Sequence, residues 1–190
     1  MNMKNTCQYS KRMNNRGLSL ILCIVLVLLT ITLLGCSSSS SSPDDLGLIM
    51  IEEEVAAPDF SLPTLSSIVT LSELQGSPVI LNFWYIGCAP CLVELPYLNA
   101  ASTEYSDKLT IVTINVKDSP DDTREFFNDN EHNFITAIDL DKQVAPAYGI
   151  RFTPTTYFID SNGIIRYAKL GAFTDEKNLK DSIDKLLEED

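Results

Sequence analysis

An almost unbroken apolar run at residues 18–34 (LSLILCIVLVLLTITLL) constrains this 190-residue chain most, because no water-soluble surface accommodates it. Behind it, residues 35–54 hold six consecutive serines and a cluster of acids, which bury little apolar surface and read as a tether. Setting both segments aside leaves about 136 residues, enough for one compact domain with its own core and too few for two. Lys4, Lys11, Arg12 and Arg16 precede residue 36 and no acid does. Residues 36–190 therefore carry 10 of the 14 basic groups and all 26 acids, a net charge of −16. A body that negative repels phosphate backbones, which argues against nucleic acid as a partner. With only 8 glycines and 9 prolines, and apolar residues recurring throughout, collagen-like, coiled-coil and long disordered architectures also fail.

Basic residues, then the apolar run, then Leu33-Leu34-Gly35-Cys36 follow the order of a bacterial export signal. The segment resembles a lipoprotein signal with its Leu-x-Gly-Cys box, which implies cleavage before Cys36 and acylation of its thiol. The alternative is an uncleaved N-terminal anchor with Cys36 near the interface. Both leave the basic residues in the cytoplasm and everything after residue 36 outside it. A start at Met13 would leave a shorter signal of the same kind. The expected organisation is a signal at 1–35, a tether at 36–54 and a folded domain at 55–190.

Within that domain, Ala57-Pro58-Asp59-Phe60-Ser61-Leu62 and Ile68-Val69-Thr70-Leu71 read as short strands. Ser72-Glu73-Leu74-Gln75-Gly76 carries a capping-box pattern closed by glycine, which predicts a helical turn. Residues 78–84 (PVILNFW) are mostly apolar, as a central buried strand requires. They lead through Gly87 into Cys88-Ala89-Pro90-Cys91 and a helical pattern at Leu92, Leu95, Leu98 and Ala101, with Pro96 expected to kink it. A strand at 109–116 precedes Ser119-Pro120-Asp121-Asp122, a helix start in the expected order of cap, proline and acids. A strand at 134–138 and a short helix at 143–148 come next. Strands at 155–159 and 164–168 then flank Asn162-Gly163, a hairpin signal. The last helix, capped by Thr174, aligns Leu179, Ile183, Leu186 and Leu187. This order predicts an α/β fold, a mixed central sheet with helices on both faces and an N-terminal β-hairpin extension.

Cys7 and Cys23 go with the signal and Cys36 with the lipid, so the domain keeps Cys88 and Cys91. A bridge closing so short a loop stabilises weakly, which points to chemistry instead of structure. A cysteine where a strand turns into a helix meets unpaired N–H groups and the positive dipole end, both favouring thiolate. Cys91, one turn along, is placed to resolve a mixed disulfide formed at Cys88. Such exchange needs no metal and no organic cofactor.

Several separated motifs in order resemble a known family. They are Ala57-Pro58-Asp59-Phe60-Ser61-Leu62, the strand Val79-Ile80-Leu81-Asn82-Phe83-Trp84, the Cys-x-Pro-Cys site with Glu94-Leu95-Pro96 behind it, and Thr153-Pro154-Thr155-Thr156-Tyr157-Phe158-Ile159-Asp160. Together, across residues 56–188, they look like the membrane-tethered thioredoxin-like proteins of the TlpA/ResA type. The resemblance implies an extracytoplasmic thiol–disulfide oxidoreductase with Cys88 as nucleophile and Cys91 as resolving thiol. It makes Pro154 a cis-proline facing the site, with the Thr153 backbone free to pair with substrate. It places Glu94 near the buried thiol for proton transfer, where Asn82 stands in for the buried acid of cytoplasmic thioredoxins. It implies protein disulfides as substrates, apocytochrome c among them, and a membrane electron-transfer partner that re-reduces the pair. One departure is Gly87, where the family usually has an aromatic residue; its loss is expected to leave Cys88 more open, with Tyr85 or Trp84 compensating. Leu92 adds no positive charge, so a lowered thiol pKa at Cys88 would rest mostly on the helix end.

Other readings compete. An oxidant or general disulfide-repair protein would use the same residues in the other direction. A peroxidase of the peroxiredoxin class shares the Ala-Pro-Asp-Phe opening, but its Pro-x-x-x-Thr-x-x-Cys site is absent before Cys88. A metal chaperone needs more ligands than two cysteines, and His132 in Asn130-Glu131-His132-Asn133 reads as a solvated helix end.

Overall fold

A computed structural model of the protein describes residues 46–128 and 132–190. The signal at 1–35, Cys36 and the serine run fall outside the described residues. Strand β4 (Val79–Trp84) is buried along its whole length, as its apolar sequence demands of a central strand. Its side chains alternate between two cores: Ile80 and Trp84 enter one, Val79, Leu81 and Phe83 the other.

Around β4 lies a six-stranded mixed sheet in the order β1-β8-β7-β4-β5-β6. β5 (Thr110–Asn115) pairs parallel with β4, and β6 (Ile135–Ile138) parallel with β5. On the other side β7 (Thr155–Ile159) and β8 (Ile164–Leu170) run antiparallel. The first core packs the sheet against α1 (Ala89–Glu104) through Leu95 and Leu98, and against α4 (Glu176–Glu189) through Leu179, Ile183 and Leu186. Phe127 of α2 (Pro120–Asn128) joins it. The opposite core lies under the hairpin β2 (Ser61–Pro63) and β3 (Ile68–Thr70) and the short α3 (Val144–Ala147).

The domain begins earlier than the sequence predicts. Part of the presumed 36–54 tether is strand β1 (Leu48–Ala56), antiparallel to β8 at the sheet edge. The apolar stretch Leu46-Gly47-Leu48 puts Leu48 into the core, while β1 covers an edge that β8 would otherwise leave bare. The three glutamates of β1 stay in solvent. Register breaks between Met50 and Val55, so residues 51–54 stand opposite Arg166 alone and Glu52, Glu53 and Glu54 are exposed. A charged irregularity of this kind discourages pairing with another chain.

Two predicted caps differ. Ser72 starts no capped α-helix: its N–H and hydroxyl both donate to Asp59, at 2.9 and 2.8 Å, and residues Leu71–Leu74 form a 3-10 turn. Helix α4 is capped by Asp175, which accepts from the Asn178 N–H, one residue after Thr174. The β7–β8 connection keeps its expected hairpin. Asp160 accepts from the N–H groups of Asn162 and Ile164 and pairs with Arg166 at 2.6 Å. Gly163 adopts φ +82°, and a Cβ there would lie 2.9 Å from the Gln75 side chain.

Candidate active site

Strand β4 ends at Trp84, three residues turn, and Cys88 becomes the N-cap of α1. The Cys88 N–H donates to the Tyr85 carbonyl at 3.1 Å, and its sulfur accepts from the Cys91 N–H at 3.3 Å. Pro90 in the first turn fixes φ where a missing N–H costs nothing. The two sulfurs are joined, with S–S 2.03 Å and Cα–Cα 5.2 Å. Cys91 is wholly enclosed, whereas Cys88 keeps 4% of its surface, so only Cys88 reaches solvent.

The turn is held by a residue the sequence reading passed over. Asp118 accepts from the Ile86 N–H at 2.7 Å and from Asn115 Nδ2 at 3.0 Å, tying residues 85–87 to the end of β5. No local pattern announces this bond, because its partners lie 32 residues apart. At Gly87, Tyr85 is the one of the two expected compensating residues that stands against the missing side chain. The Tyr85 ring fills the adjacent space, so that a Cβ on Gly87 would stand 3.0 Å from Tyr85 Cε2. Lys117 lies over that ring, 4.6 Å from its centroid. Trp84 is core packing, in contact with Phe126 and Phe127.

Glu94 is fully buried on α1, one turn beyond Cys91 and on the same helical side. Its Oε1 accepts from Asn82 Nδ2 at 2.8 Å and its Oε2 from the Phe173 N–H at 2.9 Å. Burial pushes its pKa up to about 7, while those two hydrogen bonds and the Lys169 charge pull weakly the other way. Asn82 also donates to Thr156 Oγ1 at 2.9 Å, and its own Oδ1 has no partner among the described residues. Turned end for end, that amide would accept from a protonated Glu94 and from the Thr156 hydroxyl. Either charge state of Glu94 then has a partner.

The Thr153–Pro154 bond is cis. Phe83 stands opposite Thr155 in the β4–β7 ladder, which brings Thr153 and Pro154 to the end of the sheet that carries residues 85–88. The loop is fixed by the Gly171 N–H donating to the Pro154 carbonyl and by the Thr155 hydroxyl donating to the Phe152 carbonyl. Cys88, Cys91, Glu94, Thr153 and Pro154 thus share one end of the sheet. Cys36, the predicted lipidation site, lies outside the described residues. His132 stacks on Phe127 with ring centroids 3.8 Å apart. Among the described residues no helix is long and apolar enough to cross a membrane.

Comparison with known proteins gives concordant matches. The AhpC/TSA family model matches residues 54–168. The chain is 36% identical over 138 residues to the thioredoxin-like protein YneN of Bacillus subtilis (strain 168), covering 70% of this chain and 80% of that one. It is 35% identical over 127 residues to the thiol-disulfide oxidoreductase ResA of the same organism, covering 66% and 71%. Among solved structures, a secreted thiol-disulfide isomerase from Corynebacterium glutamicum matches with a TM-score of 0.66 at 28% identity, covering 77% of this chain and 95% of that one.

Proposed function

Because the chain belongs to the AhpC/TSA family of thioredoxin-like proteins, we propose that it is a membrane-tethered, extracytoplasmic reductant of protein disulfides. Its relatives make it a thiol–disulfide oxidoreductase of the ResA type. The observation that carries the exchange chemistry is a closed Cys88–Cys91 bridge at a helix N-terminus with the buried carboxyl of Glu94 one turn behind it.

In the reduced protein the Cys88 thiolate, favoured by the α1 N-terminus, attacks a client disulfide. One S–S bond forms between Cys88 and the client as the client's own S–S bond breaks, and the second client sulfur leaves as thiolate. Glu94 takes the proton of Cys91, whose thiolate then attacks the Cys88 sulfur. The Cys88–Cys91 bridge closes, the mixed disulfide breaks, and the client leaves with two electrons and two thiols after protonation. No metal or organic cofactor enters. The Thr153 main chain holds the client as an extended strand beside Cys88, the cis Pro154 setting its direction.

The export signal at 1–35 and the Leu33-Leu34-Gly35-Cys36 box support placement outside the cytoplasm through lipid on Cys36. A membrane dithiol partner returns the electrons, and apocytochrome c supplies the disulfides during cytochrome c maturation. The deciding measurement is the reduction potential of the full chain. A value toward −270 mV is expected; one near −120 mV would convert the reading to an oxidant. The Cys91→Ser variant should trap apocytochrome c as a mixed disulfide, and failure to trap it removes that client.

A further inference from the structure

A groove of about 560 Å³ opens beside the dithiol, walled by Tyr85, Lys117, Lys142, Arg151, Phe152 and Thr153. We propose that it binds an extended client segment bearing acidic residues next to its cysteine, an inference that rests on the oxidoreductase reading above. Charge carries the argument. Residues 36–190 have 10 basic groups against 26 acids, yet three of those ten line this groove and no acid does.

Of the seven cations elsewhere in 36–190, Arg124, Arg166, Lys177 and Lys180 each pair with a carboxylate, and Lys108, Lys169 and Lys185 lie over the rings of Tyr105, Phe173 and Tyr167. Lys117, Lys142 and Arg151 have no ion pair among the described residues. Lys117 is steadied by the Tyr85 ring instead. Lys142 is presented from a left-handed backbone, φ +52°, in a turn closed by its N–H bond to the Asp139 carbonyl. Asp118, Asp139 and Asp141 flank the two lysines in sequence but line no wall of the groove, and Asp118 and Asp139 are turned to the N–H groups of Ile86, Gln143 and Ala145.

The remaining wall argues for a polypeptide over a small anion. Phe152 is 51% exposed although its carbonyl is tied to Thr155, so the ring offers apolar contact from a fixed main chain. The Thr153 main chain makes no hydrogen bond among the described residues and can pair with an added strand. At about 0.15 M salt the Debye length is about 8 Å, so these three cations dominate over the distant acids of the domain.

The test uses two disulfide-bonded peptides of identical apolar sequence, one with aspartates flanking the cysteines and one with lysines. kcat/KM for reduction of each by the full chain is measured at about 0.15 M salt. The native protein should prefer the acidic peptide roughly 3- to 30-fold, as expected from a few exposed charge pairs. The variant Lys117→Gln/Lys142→Gln/Arg151→Gln should lose that preference or turn toward the lysine peptide, because its net charge is still more negative. A ratio of two substrates is independent of the active fraction, so partial misfolding cannot imitate the result. Equal rates in the native protein, or a preference that survives the triple substitution, overturn the groove. An uncharged small disulfide serves as reference, and no exchange with it in the native protein overturns the oxidoreductase reading itself.

Discussion

The two flanks of the Cys88–Cys91 bridge are built from opposite materials. The inner flank is closed and apolar around one ionisable group, Glu94, whose oxygens meet Asn82 and the Phe173 N–H. The outer flank is open and carries three cations beside the Tyr85 ring. Burial moves a single carboxyl from its usual 4.5 to about 7. Exposed charges in water are each worth only about 0–1 kcal/mol and act by number. One flank is suited to handling a proton, the other to sorting partners.

The largest effects come from removing the bridge between the flanks. Cys88→Ser is expected to abolish exchange. Cys91→Ser leaves the first attack intact and should accumulate client bound to Cys88, visible by mass spectrometry. If both variants reduce protein disulfides at the native rate, the chemistry resides elsewhere.

Glu94→Gln tests the inner flank alone and is expected to slow resolution roughly 10²-fold near neutral pH. The native rate should rise with pH through about 7 as Glu94 ionises, and the variant should lack that step. Stability carries a second signature of the same shift. A raised folded pKa means a contribution fully present below the unfolded value of about 4.5 and lost as pH rises through about 7. Native stability should therefore fall by up to about 3 kcal/mol across that window, and urea titrations of Glu94→Gln should show little of that slope.

Smaller changes probe the outer flank. Asp118→Ala deletes the bonds to Ile86 and Asn115. It is expected to cost about 1–3 kcal/mol by denaturation and to speed alkylation of reduced Cys88. Unchanged alkylation would mean the 85–87 turn holds itself. The least effect belongs to Gly87→Ala, where the new methyl meets the edge of the Tyr85 ring. Stability should stay within about 0.5 kcal/mol by denaturation, while the acidic-to-lysine peptide ratio shifts as the ring is displaced.

Legibility in the sequence followed the range over which each signal acts. The order of central strand, cysteine turn and helix was readable because period and polarity change within a few residues of Cys88. Only resemblance places Glu94 by the thiol, since its partner, the Phe173 N–H, lies 79 residues away. Strand β1 was hidden by composition, three glutamates outweighing the short apolar stretch that anchors Leu48. Ser72 misled for a related reason: its capping pattern is local, but Asp59, 13 residues earlier, took both its donors. Asp118 and the cationic groove had no sequence signature at all, being assembled by the β5 end, the α3 turn and the cis-proline loop.

The backbone of Lys142 has an evolutionary corollary. A lysine at φ +52° holds a conformation that glycine adopts freely, at a cost of about 1–3 kcal/mol. Lys142→Gly should thus give a hardier domain with a poorer eye for acidic clients. Selection for thermal robustness alone would erase that side chain, and its persistence in a lineage would measure how much discrimination matters to the cell.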